Sequence, residues 1–519
     1  MTHFTFGKRL ALLVAAFSFM LMPFPMPALA ASSIAVNVQD DLVGDTCPST
    51  CSLRAAIVKA NGDSGDTISV PSGTYTLTRG QLVATSAMTI SGAGSATTII
   101  DGNNQSRVLQ VGSGGVLAMS GVTVQHGSFV ASGTNRAGGG IEVLGRLTLS
   151  NSTVRNNTVA ITNQVGDSPT GGGISGDNNT AVVTLTNVVI DGNKGSADVS
   201  SLVGGGVGSR GTLVFNGGVV SNNVASFKPG DGLGEGGGIA VNNGAVNNAA
   251  ATMDSLDIHD NTSGGGGGVV DESGPATLTR STLRSNHAKS TNDFGGGWLA
   301  NGNGDTLINV TVSNNDSVAG GGGFTDFTGG STLLNDTIAN NSSVTTGGGL
   351  LSGTLDGTTS VQASILSVNT PDNCGLKQSG TITSKGSNID SGTTCKFGAA
   401  ADKSSTDPAL GPLAANGGPA PTRAISAGSP ALDADFTTCP PPATDERGIA
   451  RPQGARCDIG AFELMVAAAT TPSAAPTPVL PRAGGRGHDR GLPVLVLLLA
   501  ALLIGGIVPA ARRGRRLRG

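Results

Sequence analysis

The sequence predicts an all-β solenoid of stacked three-sided coils, with a short N-terminal capping helix and a C-terminal transmembrane helix. Three observations carry this. An eightfold repeat opens on Gly-Gly-Gly at Gly138, Gly171, Gly204, Gly236, Gly266, Gly295, Gly321 and Gly347. Each copy closes on an asparagine: Asn157, Asn193, Asn223, Asn261, Asn286, Asn315, Asn341 and Asn369. Between these landmarks the apolar residues alternate as they do in strands, and a charge-free run follows near the C-terminus. A period of this length marks coils that bury a core only by stacking on their neighbours.

Composition agrees. Glycine supplies 82 of 519 residues without a Gly-X-Y period, which excludes collagen. Trp298 and Tyr75 are the only Trp and Tyr, so the core must come from aliphatic residues and threonine. A formal net charge of -4 leaves no nucleic-acid footprint.

Residues 1–30 read as a secretory signal. Lys8 and Arg9 precede an apolar run, and Ala28, Leu29 and Ala30 fit a small-residue cleavage site. Residues 31–135 form the N-terminal cap and first irregular coils. Ser52 is the expected N-cap of a short helix that buries Leu53, Ile57 and Ala60. Strands are expected at Thr67–Val70, Thr74–Leu77, Ala87–Ile90, Thr97–Ile100 and Val122–Val124.

Residues 136–401 are the glycine-rich coils. Aligning the copies on their asparagine gives two apolar columns. Eight residues before it stand Leu149, Leu185, Phe215, Met253, Leu278, Leu307, Leu333 and Val361. Three before it stand Val154, Ile190, Val220, Ile258, Leu283, Val312, Ile338 and Leu366. The interval of five breaks strand alternation, so a bend lies between the columns. With the strand after the glycines, each coil has three sides. The asparagine suits a sharp corner because it tolerates left-handed backbone, and stacked amides can bond along the column. Roughly a dozen coils would span on the order of 50–60 Å. The spacing from asparagine to the next triplet is longest in the first three copies, at 158–170, 194–203 and 224–235. Loops gathered on one face of a solenoid are either its binding face or tolerated insertions.

Six cysteines, Cys47, Cys51, Cys374, Cys395, Cys439 and Cys457, suit disulfides in an exported chain. Proximity favours Cys47–Cys51, Cys374–Cys395 and Cys439–Cys457, with zinc ligation the rival. Residues 402–464 read as a C-terminal cap, 465–490 as a Pro/Thr/Ala-rich linker, 491–511 as a membrane-spanning helix and 512–519 as a basic cytoplasmic tail.

Both ends of the body carry a resemblance. Cys51, Ser52, Leu53, Arg54, Ala55, Ala56 and Ile57, followed by Asn61, resemble the CSLREA motif that opens secreted bacterial β-helix proteins, with Ala55 in place of glutamate. Asp407 to Leu413, Asn416 to Pro419, Gly428 to Asp433, Asp445 to Gly448, Arg451, Pro452 and Cys457 to Glu463 resemble the choice-of-anchor Q region that precedes an anchoring tail. The resemblance implies a right-handed parallel β-helix of the pectin-lyase-like kind, exported and held at the surface. It implies no single activity. Leu480, Pro481, Arg482, Ala483 and Gly484 resemble a sortase sorting motif with alanine where threonine is usual, so wall attachment competes with a plain membrane anchor.

No catalytic or metal-binding column emerges from the asparagine alignment. Asp191, Asp257, Asp260 and Asp336 fall in different columns or distant copies. Asp271 and Asp326 both lie five residues after a triplet begins, but one coil separates them. Among the histidines, His126 stands apart, and His259 and His287 flank their corners on opposite sides. Arg155 and Asp191 share a column, which suggests a cross-strand ion pair. Asp445, Arg447, Arg451, Asp458 and Glu463 could hold calcium, but arginine beside the acids favours a salt-bridge network closing the last coil. No cofactor is expected. The sequence therefore favours a non-catalytic surface protein that contacts glycan, matrix or a protein ligand. A polysaccharide lyase or hydrolase is the alternative.

Overall fold

The computed structural model describes residues 31–465 except 43–45, 133–137, 163–169, 198–202, 228–234, 243–249, 273, 292–293, 303 and 354–357. The expected signal (1–30), most of the linker, the sortase-like motif Leu480–Gly484, the span and the basic tail lie outside the described residues, as do the tips of the three long corners. Among the described residues no helix is long and apolar enough to cross a membrane.

The chain is a parallel β-helix. Strands of successive coils stack in register, for example Leu147 on Val183, Val183 on Leu213 and Leu213 on Ala251. Three sheets wrap the core. A triplet sheet of 11 strands holds the segments that follow the glycines, from Leu82–Ala84 to Cys374–Leu376. A main sheet of 23 strands forms two files on either side of a bend, and Val182–Asp191, Thr212–Ser221 and Ala251–His259 run through that bend and serve both. A corner sheet of eight short strands follows the asparagines. The paired strands are parallel throughout these sheets. The antiparallel pair Leu413–Ala414 with Thr422–Arg423 lies in the C-terminal segment.

Both apolar columns face inward and are fully buried, as at Leu149, Leu185, Phe215, Val154, Ile190 and Val220. Outward positions of the first file carry Thr148, Thr184, Thr252, Thr277, Thr306 and Thr332, β-branched residues that favour strands while meeting water with a hydroxyl.

Each column asparagine is buried and fully bonded. The Asn286 Oδ1 accepts from the Asn261 backbone N–H (3.1 Å) and from Asn261 Nδ2 (2.9 Å), while Asn286 Nδ2 donates to Ile258 O and to Asn315 Oδ1 (both 2.9 Å). The same four bonds recur at Asn193, Asn223, Asn261, Asn315 and Asn341. The ladder starts where Gly127 N–H donates to Asn157 Oδ1 and ends through Asn369 on Asn373 and Asp390. One expectation needs correcting. The left-handed backbone belongs to the residue before each column asparagine, as at Asn156 (φ 53), Asn222 (φ 54), Asp260 (φ 53) and Ser285 (φ 52). That turn aims the next side chain inward, so the asparagine can bond to its neighbours.

The glycine triplet and the asparagine are two halves of one contact. A Cβ on Gly268 would stand 2.6 Å from Gly297 O and 3.1 Å from the Asn286 amide. A Cβ on Gly267 would meet His287 N at 2.6 Å and Gly296 O at 2.4 Å. The triplets cross the asparagine corner at a separation that admits hydrogen only.

The N-terminal coil is closed by α1 (Leu53–Gly62), whose N-cap Ser52 accepts from Ala55 N–H at 3.2 Å and whose Leu53, Ala56, Ile57 and Ala60 are buried. Arg54 pairs with Asp41 (2.6 Å) and donates to Gly80 O and Gln81 O, and Asn61 bridges Val83 O and Thr85 N–H. Disulfides join Cys47–Cys51, Cys374–Cys395 and Cys439–Cys457.

The C-terminal segment corrects a second expectation. The core ends on Cys374, Cys395 and Phe397, not on residues 402–464. The chain beyond Lys403–Ser404 turns back along the outside of the second file. There Ile425, Ala431, Ile459 and Phe462 pack on Ile365 and Ile389, and Thr282, Thr311 and Thr337 hydrogen-bond to it. The physical reason is apolar exposure: Ile365 and Ile389 sit at outward positions that water would otherwise meet.

Replacing Asn286 with alanine leaves the buried Asn261 N–H without its acceptor and breaks the amide ladder to Asn261 and Asn315. Thermal or denaturant unfolding should register a loss of about 2–5 kcal/mol, and Gly268→Ala a loss of about 1–3 kcal/mol from overpacking. Wild-type stability in Asn286→Ala would contradict the ladder's role.

Candidate functional site

A buried charged network lies on the outer side of the triplet sheet, on the strands Leu109–Val111, Ile141–Val143 and Ile174–Gly176. Gln110, Glu142 and Ser175 stack directly in register. They occupy the middle position of their strands, whereas Leu109, Ile141 and Ile174 on one side and Val111 and Val143 on the other fill the core. Alternation therefore points the three polar side chains away from the core. Arg107, from the turn before the first of these strands, reaches over them. Its Nη1 meets Glu142 Oε2 at 2.6 Å and Gln81 Oε1 at 2.8 Å, and its Nε donates to Gly138 O at 2.8 Å. The guanidinium stacks 4.2 Å from the centroid of Phe129.

Asp177 completes the network. It follows the Ser175 strand, takes the Ser175 hydroxyl, and shares a hydrogen bond with Glu142. Burial pushes the Asp177 carboxyl well above the ordinary range. The Ser175 hydroxyl pulls it down, while the hydrogen bond to Glu142 and that group's charge raise it further. Burial also draws Arg107 below its usual value, against the pull of Glu142 and Asp177. Gln110 Nε2 donates to Glu142, and Gln81 Nε2 donates to Gln110 Oε1 at 3.1 Å. Arg107, Glu142 and Asp177 are buried, whereas Gln81, Gln110 and Phe129 are half-buried and form the open rim.

The sequence alignment missed this network because it was anchored on the asparagines. The triplet-to-asparagine distance is 19 residues in the first copy (Gly138 to Asn157) and 22 in the second (Gly171 to Asn193), so Glu142 and Ser175 fell out of register. Anchored on the triplets, both lie four residues after the first glycine.

The other acids serve the scaffold. Asp271 and Asp326 flank Ala300 in one column, and Asp305 from the turn of the intervening coil fills the space between them. All three are fully buried. Asp305 accepts from Ala276 N–H (2.9 Å) and Trp298 Nε1 (2.8 Å), and Asp326 accepts from Gly329 N–H and Thr359 Oγ1 (both 2.8 Å). Burial raises Asp305 to about 6, while a hydrogen bond from Asp271 and those from Ala276 and Trp298 lower it. Asp305 and Asp326 thus bind backbone amides from within the fold. Arg155 and Asp191 are register partners, yet Arg155 bonds to Gln125 Oε1 (2.9 Å) while Asp191 takes Ser221 (2.7 Å) and Asn222 (2.8 Å). The expected cross-strand ion pair does not form because both side chains find uncharged partners nearer.

His259 pairs with Asp260 (2.6 Å), His287 with Asp316 and His126 with Asp101 (2.9 Å), each in its own column. Among the described residues no group of three or more His, Cys, Asp or Glu is arranged to hold a metal ion. In the C-terminal segment Asp445 binds Arg447 (2.7 Å), and Arg451 binds Glu463 (2.9 Å) and Asn309 Oδ1 (3.1 Å). This network fastens the segment to the flank of the helix, where the sequence suggested closure of the last coil.

Glu446, which stood out in the sequence only as part of the Asp445 to Gly448 match, is the key of that seam. The Thr282 hydroxyl faces both Pro421 O at 2.6 Å and Glu446 Oε1 at 2.8 Å, and the Thr311 hydroxyl reaches Glu446 Oε2. Burial pushes Glu446 well above its ordinary range, although the Thr311 and Thr282 contacts pull the other way.

No protein-family model matches the chain, and no curated protein matches it. Among solved structures the chain is similar to the pectate lyase Pel9A, at 13% identity over 83% of this chain and 96% of that one, with a TM-score of 0.31. It is similar to a PL6 alginate lyase in complex with trisaccharide (14%, 78% and 92%, TM-score 0.34) and to the catalytic domain of a GH87 alpha-1,3-glucanase in complex with nigerose (14%, 71% and 70%, TM-score 0.20). The site described above stands on this chain's own residues.

Unfolded, Glu446 ionises near its ordinary 4.5; folded, it keeps its proton to higher pH. Its contribution is whole below that unfolded value and is lost as pH rises from there toward the folded value. In Glu446→Gln the amide can donate to Thr282 and accept from Thr311. Melting curves from about pH 5 to 8 should fall less steeply than wild type, and parallel curves would contradict the assignment.

Proposed function

We propose that the protein is an exported β-helix that engages polysaccharide, and that the Arg107, Glu142 and Asp177 network with its Gln81 and Gln110 rim is where it does so. The observation that carries this reading is a cationic fork, two carboxyls and two amide side chains held together on the outer side of a parallel sheet. Hydroxyl-rich polymers are recognised by such sparse, fixed polar groups. Three disulfides fit an oxidising, extracellular setting. Export by residues 1–30 and retention by residues 491–511 belong to the same proposal, with a sortase-like attachment at Leu480–Gly484 as its variant.

Cleavage is the second reading, favoured by one observation: the Glu142 carboxyl meets the Arg107 guanidinium at 2.6 Å, beside Asp177, which burial holds toward its protonated form. Removal of a sugar C–H proton needs a base next to a cation that stabilises the developing carboxylate charge. Hydrolysis through two separated carboxylates is less well served, because these two touch, whereas either glycosidase geometry needs a gap of roughly 5–9 Å.

The test is co-sedimentation and product analysis with polygalacturonate, alginate and a neutral glucan. The purified body should retain at least one acidic polymer, and Gln81→Ala should weaken retention about tenfold, the worth of one or two hydrogen bonds. Unsaturated ends that appear with wild type and vanish in Glu142→Gln would establish the second reading. Equal retention of every polymer by wild type and Gln81→Ala would sink both.

A further inference from the structure

The C-terminal segment holds a cavity of about 320 Å³ that the polysaccharide reading above does not use. Its walls include Phe436, Thr437, Arg456 and the Cys439–Cys457 disulfide. We propose that this cavity binds the carboxylate-bearing ring of an acidic saccharide. The choice of a saccharide rests on the reading above, while the site and the demand for negative charge are independent of it.

Phe436 is 61% exposed, and it is the only aromatic residue among the exposed large hydrophobic side chains described. In a chain with 14 phenylalanines, one tryptophan and one tyrosine, that exposure needs a reason. Its position is fixed from behind: its backbone N–H donates to Ser387 Oγ at 2.8 Å. The ring offers an apolar face of the kind that the C–H side of a pyranose covers.

Arg456 supplies the charge. Its guanidinium lies 4.2 Å from the Phe436 centroid and makes no ion pair or hydrogen bond with a described residue. Stacking holds the fork in place and leaves its N–H groups for a bidentate carboxylate. The acid on the floor does not cancel it. Asp435 is buried, its Oδ1 takes both the Thr437 N–H (2.8 Å) and hydroxyl (2.5 Å), and its charge acts on Arg451. The walls are firm: Asp435 N–H donates to Cys457 O at 3.0 Å, and Gln362 Nε2 ties Thr437 to the helix at 3.1 Å. A volume of this size takes a ring or two, not a buried polymer, so the ligand enters by one unit.

Calorimetric titration of the full chain tests the proposal, with trigalacturonate, its methyl ester and a trialanine peptide as probes. Trigalacturonate should bind, the ester and the peptide at least tenfold more weakly, and Arg456→Gln should abolish this class of sites while Gln81→Ala keeps it. Arg456→Gln changes an exposed side chain, so intact melting behaviour certifies its fold. The proposal is overturned if wild type lacks such a class, if Arg456→Gln retains it, or if the ester or the peptide binds as tightly. Loss in Gln81→Ala with retention in Arg456→Gln would uphold the first site and overturn this one; the reverse result would uphold this cavity alone.

Discussion

A buried asparagine must satisfy its hydrogen-bonding positions, and in the column from Asn193 to Asn341 each one does so on the coils above and below it. That requirement sets the rest of the architecture. The amide bonds only if successive coils sit at one strand spacing and in one register. It fits only if the strand crossing its corner carries hydrogen in place of side chains, hence the glycines at the Gly268 and Gly267 positions. It points inward only if the preceding residue turns left-handed. Triplet, turn and amide therefore form one device, repeated along the axis, and the apolar columns fill the space it encloses. A single member left unpaired would expose a buried N–H to an environment without water.

Much of this was legible in the sequence. The eightfold period, the two inward columns and the Ser52-capped helix follow from local pattern, because neighbouring coils impose the same demand at the same position. The C-terminal segment was not. Glu446 contacts Thr282 across 164 residues, and no periodicity connects them. Thr282, Thr311 and Thr337 look like any other outward threonines until the segment covers them. The acid cluster of Asp271, Asp305 and Asp326 escaped for a related reason: Asp305 sits in a turn, outside every strand column. Glu142 and Asp177 were hidden by the choice of landmark, since the arm between triplet and asparagine changes length.

The charged groups divide by what surrounds them. Those inside the corners bind backbone amides and hold turns. Those at the flank fasten the C-terminal segment through Arg451, Glu463 and Glu446. Two sets remain with an open side: the network rimmed by Gln81 and Gln110, and the cavity walled by Phe436 and Arg456. A solenoid suits this division. Its stability is spread along the stack, so a few outer positions can depart from the repeat without loss of the coil beneath.

The most direct measurement of the central claim is amide hydrogen exchange at the column asparagines. Their backbone N–H groups donate to buried side-chain oxygens, so Asn193, Asn223 and Asn261 should exchange only when the whole helix opens, as slowly as the apolar columns beside them. Exchange as fast as that of the short corner strand Thr262–Ser263 would mean that the ladder opens locally, and would contradict its place as the constraint on which the coils depend.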